Sequence, residues 1–199
     1  MDRTLKFKAH IDNIVNKSFR LFGWVVRTVE HRDKLIVLKI YKSLIRPNLE
    51  YASTVWNPCT EGQIHKIEKV QRRVTEFILG KNQSYENRRH ILKLPSLRWR
   101  RHFLDLLRVY DILHNDQEIR GKLFTLNSEI SSTNLRRHRW TLHGVVYNSN
   151  ILKFHFVNRV MRARNALPEG IVDLQTYSSF KMQLKSYLMA TSSTNPYKI

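Results

Sequence analysis

The chain has 199 residues, 42% of them hydrophobic, and carries 35 Lys and Arg against 16 Asp and Glu, a formal net charge of +19. This composition excludes a disordered tail and is enough for a core without metal or disulfide support, while the cationic surplus attracts phosphate backbones and repels itself unless a polyanion neutralises it. The one cysteine, Cys59, excludes an internal disulfide and a multi-cysteine zinc knuckle, and the longest apolar run, Leu21 to Val26, is far too short for a bilayer, so a soluble, intracellular chain is expected, with no membrane partner and nothing to separate nucleus from cytoplasm.

Glycine and proline are sparse, at 6 and 5, and Leu, Ile, Lys and Arg recur with helical spacing, which predicts a mostly α protein with one less regular insert. Between Leu5 and Val29, apolar residues at Phe7, Ile11, Ile14, Val15, Phe19, Phe22, Val25 and Val26 define one helix face. Gly23 inside this pattern predicts close packing against the next helix, and Asp33 is a candidate N-cap. The segment Leu35 to Ile45 is apolar on more than one side, which predicts burial, and Pro47 predicts a bend between two helical pieces that continue to Trp56. Thr60-Glu61-Gly62-Gln63 fits a capping box, and the helix it opens carries Ile64, Ile67, Val70, Val74, Phe77 and Ile78 on one stripe, with cations elsewhere and Gly80 as its stop.

Ser84 predicts a short helix through Leu92, and Ser96 starts another whose apolar stripe includes Leu97, Phe103, Leu106, Leu107, Tyr110 and Leu113. The opening turns of that helix hold Arg98, Arg100, Arg101 and His102, where cations oppose the backbone dipole, a placement that points to an anionic ligand or else to solvated side chains. Ser128 to Asn134 reads as a surface loop, followed by the basic run Leu135 to Trp140. Thr141 to Tyr147 and Ile151 to Phe156 alternate around Asn148-Ser149-Asn150, which fits a β-hairpin, while Phe156 to Ala166 fits a helix equally well. Phe180, Leu184, Tyr187 and Leu188 mark a last helix, and a polar tail follows.

No catalytic or metal site is expected from the residues, and no cofactor is implied. Metal-dependent nucleotidyl transfer needs converging carboxylates, but the acids are scattered, with Asp116 and Glu118 the nearest pair; the nine His lack the helical His-x-x-x-His spacing.

Several ordered segments carry a resemblance. Tyr41 to Pro58, Ile67 to Gly80, Leu94-Pro95-Ser96-Leu97-Arg98-Trp99-Arg100-Arg101, Asp105-Leu106, Tyr110 to Leu113, and Ala166 to Val172 with Ser179-Phe180-Lys181 resemble the region downstream of the polymerase active site in jockey-like and chicken-repeat-like non-LTR retrotransposon reverse transcriptases. Leu5 to Ile11 is similar to the end of their palm. One departure is Arg164, where that family usually has a tryptophan before the Asn-x-Leu-Pro segment, which puts the packing of the final module in question.

The resemblance implies a helical thumb-like bundle over residues 1–115, a post-thumb module over 116–190 and a frayed tail over 191–199, cut away from the Tyr-x-Asp-Asp loop. The implied role is gripping an RNA–DNA hybrid without catalysis. A thumb lets a duplex slide, which calls for phosphate contacts with little base readout. The candidate contacts are Arg72, Arg73, Arg98, Arg100, Arg101, Arg136, Arg137 and Arg139, with Trp56 and Trp140 as rings that can stack on bases, Trp56 reading first as core. Two other readings stand beside this one: a helical protein-interaction module that self-associates through exposed apolar surface, and a remnant of a mobile element with no role of its own.

Overall fold

The computed structural model describes residues 7–29, 33–130, 140–144 and 154–191. It is mostly helical, and no strand occurs among the described residues. The chain divides into two compact units, Met1–Arg101 and His102–Ile199, each with its own packing. The division falls inside the helix Leu97–Asn115, whose last residue is the boundary that the sequence reading used.

In the first unit, α1 (Lys8–Thr28) and α5 (Glu61–Leu79) are the two long helices, and they pack on one another. Between them in sequence come α2 (Lys34–Ile40), a π-helical turn (Tyr41–Ile45), α3 (Arg46–Glu50) and α4 (Ser53–Trp56); α6 (Tyr85–Ile91) follows α5. Side chains from α1 through α5 and from the start of the next long helix meet in one core, including Ile11, Val15, Phe22, Val25, Tyr41, Ile45, Leu49, Trp56, Ile67, Val70, Val74 and Leu97. Phe22 meets Phe77 edge-on at 5.6 Å, an arrangement worth roughly 0.5–1.5 kcal/mol beyond its buried area.

The helix starts follow local chemistry. The Asp33 carboxylate accepts from Leu35 N–H at 2.7 Å and Ile36 N–H at 3.3 Å. The capping box at α5 is complete: Gln63 N–H donates to Thr60 Oγ1 at 3.3 Å and Gln63 Oε1 accepts from Thr60 N–H at 3.4 Å. Ser84 caps α6 and Ser96 caps the next helix in the same way.

Three expectations are corrected. The helical conformation runs on through Pro47 instead of dividing there into two pieces, and the preceding turn widens so that Arg46 N–H reaches back to the Tyr41 carbonyl. This π register loosens the turn where a proline ring would crowd the carbonyl four residues back. The chain instead turns at Tyr51 and Ala52, the latter in the left-handed region at φ 52°. Second, the segment from Leu35 to Ile45 is not buried throughout, since Leu35 is 68% exposed and Ile36 and Leu44 also face outward. Third, Gly23 does not serve a tight helix crossing: a Cβ there would meet only Arg27 Nη1, at an ordinary 3.5 Å.

Beneath the apolar core runs a buried polar chain. The Tyr41 hydroxyl donates to Gln71 Oε1 at 2.6 Å, and Gln71 Nε2 donates to the Tyr85 hydroxyl at 3.0 Å and to the Pro95 carbonyl at 3.1 Å. The Tyr85 hydroxyl donates to Glu68, whose two carboxylate oxygens accept from Leu97 N–H at 3.1 and 3.3 Å. Every member is thereby satisfied, the condition under which a buried polar network is tolerated. Burial first, then the Glu68 charge, pushes both tyrosine hydroxyls well above their ordinary pKa.

In the second unit, the rest of α7 (Leu97–Asn115) is followed by α8 (Gln117–Leu123), α9 (Asn127–Ile130), α10 (Phe156–Asn165), α11 (Glu169–Val172) and α12 (Tyr177–Thr191). The core gathers Val109, Ile112, Leu113, Phe124, Leu126, Leu142, Val160 and Met161. Asp105, 2% exposed, takes two 2.9 Å bonds from Arg159, and the Tyr110 ring stacks on Phe180 at 4.3 Å.

The hairpin expected around residues 148–150 lies mainly outside the described residues. Within them, Leu142 makes a lone antiparallel bridge to Leu126, Asn165 bonds both backbone groups of Leu142, and Phe156 begins a helix. Ser128 belongs to α9, and beyond Thr191 the tail also lies outside. Arg164, at the tryptophan position of the resembled family, takes an interior place at 1% exposure. Burial lowers its pKa to about 10 against the opposing pull of Asp173.

Two outcomes follow from this packing. Lys93 occupies the left-handed position of a Schellman turn after α6, with Leu94 N–H reaching the Arg89 carbonyl at 2.9 Å and Lys93 N–H the His90 carbonyl at 3.1 Å. Lys93→Gly removes the steric strain of that position and raises stability by up to about 1 kcal/mol, read as a higher urea midpoint; an unchanged or lower midpoint contradicts the assignment. Because the folded pKa of Tyr41 and Tyr85 lies above the unfolded value of 10.0, their contribution is complete below pH 10 and is lost as pH rises past it. Denaturant titrations across that range should show the alkaline loss shrink in the Tyr41→Phe, Tyr85→Phe double variant.

Candidate nucleic-acid interface

The cations at the start of α7 looked, in sequence, like a ligand site. In the structure each one is used internally. Arg98 pairs with Glu61 at 3.2 Å, and Arg100 grips Glu50 through two nitrogens, one of them Nη2 at 2.8 Å. Arg101 is 1% exposed and donates from Nε to Asn57 Oδ1 at 3.2 Å, so it does not face solvent. The Glu68 carboxylate sits on Leu97 N–H, placing negative charge where the helix dipole favours it and offsetting the cations that follow. His102, in the second unit, has its pKa lowered to about 4 by burial and then by the Arg159 charge. Three of the four side chains read as a cluster, Arg98, Arg100 and Arg101, are thus tied to Glu61, Glu50 and Asn57 within the first unit.

Arg72 and Arg73 are placed differently. Both are exposed on α5, and they border an open groove of about 970 Å³ between α1 and α5. Its apolar floor includes Phe19, Phe22 and Val26 from α1. Its rim carries cations, Arg27 from α1 facing Lys69, Arg72 and Arg73 from α5, with His65 beside them and Glu76 the one acid in its lining. Positions 65, 69, 72 and 76 share a stripe of α5 because they recur at intervals of four, three and four residues.

Among the described residues, Arg73 is the one rim cation in an ion pair, with Glu76 at 3.4 Å, and that pair is worth a few tenths of a kcal/mol or less. Arg72 is steadied by a ring rather than a carboxylate: its guanidinium lies 4.7 Å from the centroid of Tyr85, which carries Arg89 at 5.1 Å as well. Since the Tyr85 hydroxyl is fixed on Glu68, the buried network holds Arg72 in place while leaving its charge uncompensated.

Arg136, Arg137 and Arg139 lie outside the described residues. In the second unit many described cations meet acids, as Arg108 does Asp111, Arg120 does Glu129, Lys122 does Glu118 and Arg159 does Asp105. Trp56 is core, 3% exposed, and Trp140 is half-buried, 5.3 Å from the His114 ring. The sequence reading missed Arg27, His65 and Lys69. The α5 pair was visible as polar positions between the core residues, whereas Arg27 joins them only through the α1–α5 crossing.

These features define a helical, strongly basic protein with a groove whose lining holds four Lys and Arg side chains against one acid. Over part of its length it is similar to a transposon polymerase: the probable RNA-directed DNA polymerase from transposon X-element of Drosophila melanogaster is 28% identical over 83 residues, 40% of this chain and 9% of that protein. The Caenorhabditis elegans protein B0403.1, itself uncharacterized, is 27% identical over 114 residues, 55% of this chain and 57% of that one. The chain therefore matches less than two thirds of the length of either relative. No family model and no solved structure matches it.

The start of α7 gives a stability test. Arg100→Gln leaves the half-buried Glu50 carboxylate without its closest cation and costs about 1–3 kcal/mol, measured by urea unfolding. A loss of only a few tenths would place Arg100 among ordinary surface arginines.

Proposed function

We propose that the chain holds the sugar–phosphate backbone of a nucleic acid, as the thumb of a non-LTR retrotransposon reverse transcriptase of the jockey-like or chicken-repeat-like kind holds its RNA–DNA hybrid. The role is positional, not chemical. What carries the reading is the α1–α5 groove, where Arg27, Lys69, Arg72 and Arg73 converge with a single acid among them. Four cations spaced along two crossing helices suit a run of phosphates, and contacts to phosphate fix position without carrying sequence information, which favours affinity without sequence preference. The net charge of +19 and the partial similarity to the X-element polymerase support it. Arg100 and Arg101 drop out of the contact set because Glu50 and Asn57 hold them in the interior of the first unit, while Arg98, in an exposed pair with Glu61, and Arg136, Arg137 and Arg139 stay in it on the sequence pattern alone.

A second reading, docking to a protein, draws on one observation: Leu35, Ile36, Leu44, Tyr51 and Val55 are all exposed, Tyr51 at 82%. An apolar surface of this kind favours association that persists in salt. Light scattering at rising salt separates the two, because phosphate binding weakens while apolar association does not.

The direct test is hybrid-duplex affinity as a function of salt. If the four groove cations each neutralise one phosphate, log K falls against log salt with a slope of roughly −3 to −4, and Lys69→Gln, Arg72→Gln and Arg73→Gln together make it shallower by about 3. A flat salt response sinks the proposal.

A further inference from the structure

Trp24 is 51% exposed, in contrast to Trp56 at 3% and Trp99 at 8%. It lies on the outward stripe of α1 formed by Asn13, Lys17, Arg20, Trp24 and Arg27, all exposed and spaced alternately by four and three residues. Lys17, Arg20 and Arg27 take part in none of the ion pairs formed among the described residues of the first unit. No carboxylate lies on this stripe; Asp12, beside it in sequence, is engaged by Lys66 at 2.7 Å. The indole thus has a cation one helical turn before it and another one turn after.

The stripe is also continuous with the groove. Gly23, the residue before Trp24, lines the groove, and nothing but the tip of Arg27 would come within 4 Å of a Cβ there. Arg27 belongs to both surfaces, on the rim of the groove and one turn beyond the indole. A backbone lying along the groove can pass over Gly23, where the cationic tip of Arg27 stands, and reach Trp24.

From this juxtaposition we infer that Trp24 is a stacking platform for an unpaired base of a single-stranded segment leaving the groove, with Arg20 and Arg27 holding the phosphates on either side of it. The inference rests on the proposed backbone binding and adds the form of nucleic acid that the surface selects. Base faces are accessible only where a strand is unpaired, so an aromatic ring set among cations gains its contact from a single strand or an overhang and not from the side of a duplex. An apolar protein partner fits less well, since covering the indole would bury the charges of Arg20 and Arg27 without partners.

The experiment compares the whole chain with its Trp24→Ala and Trp24→Phe variants for binding to a short oligo-thymidine strand and to a blunt hybrid duplex at one salt concentration. Because Trp24 faces solvent, both variants should keep the wild-type circular dichroism and melting temperature. Trp24→Ala is expected to lose about tenfold in affinity for the single strand, Trp24→Phe to recover most of it, and both to bind the duplex within about twofold of wild type. Equal affinity of Trp24→Ala and wild type for the strand, with duplex binding intact, overturns the stacking site alone. Equal losses on strand and duplex overturn it too, because they mark a general effect on the surface. If the wild-type chain binds neither ligand, the backbone-binding proposal fails and the stacking site with it.

Discussion

The scarcity of carboxylates governs this structure. With 16 acids against 35 Lys and Arg, one-to-one pairing leaves more than half of the cations without an acid, so the places where acids are committed decide where positive charge is left bare. In the first unit Glu50, Glu61 and Glu68 all serve the start of α7: Glu50 holds Arg100, Glu61 holds Arg98, and Glu68, 6% exposed, takes the Leu97 N–H. A helix that opens with arginines would otherwise repel its own dipole. The surface between α1 and α5 is left with Glu76 alone among its lining residues.

Helix α5 joins the two consequences. Its inner side contributes Ile67, Val70 and Val74 to the core and Glu68 and Gln71 to the buried polar chain, and its outer side presents Lys69, Arg72 and Arg73. The Tyr85 ring connects the sides, with its hydroxyl on Glu68 and its face under Arg72. A rigid interior network supporting an uncompensated guanidinium is a sound basis for backbone binding, since a preordered side chain loses less entropy on meeting a phosphate.

Much of this was legible in the sequence where the cause is local. Asp33, Thr60 with Gln63, Ser84, Ser96 and Gly80 start or stop helices because each needs only groups within a few residues, and the one-sided stripe of α5 is a property of that helix alone. What depends on distant partners was not legible. Arg98, Arg100 and Arg101 look alike in sequence, yet their roles are set by Glu61, Glu50 and Asn57, 37 to 50 residues away. Pro47 suggested that one helical piece ends there because the widening of the turn at Tyr41–Ile45 leaves no mark in composition. Arg27 and Trp24 carried no signal in an apolar helix until its crossing with α5 fixed which face stays open.

The most direct measurement is lysine footprinting: acetylation of the free and hybrid-bound chain, read peptide by peptide. The account predicts that Lys69, on the groove rim, is protected on binding, while Lys122, paired with Glu118 in the second unit, reacts at the same rate in both states. Protection of Lys122 with Lys69 unchanged would contradict the claim that the bare cations between α1 and α5 hold the backbone.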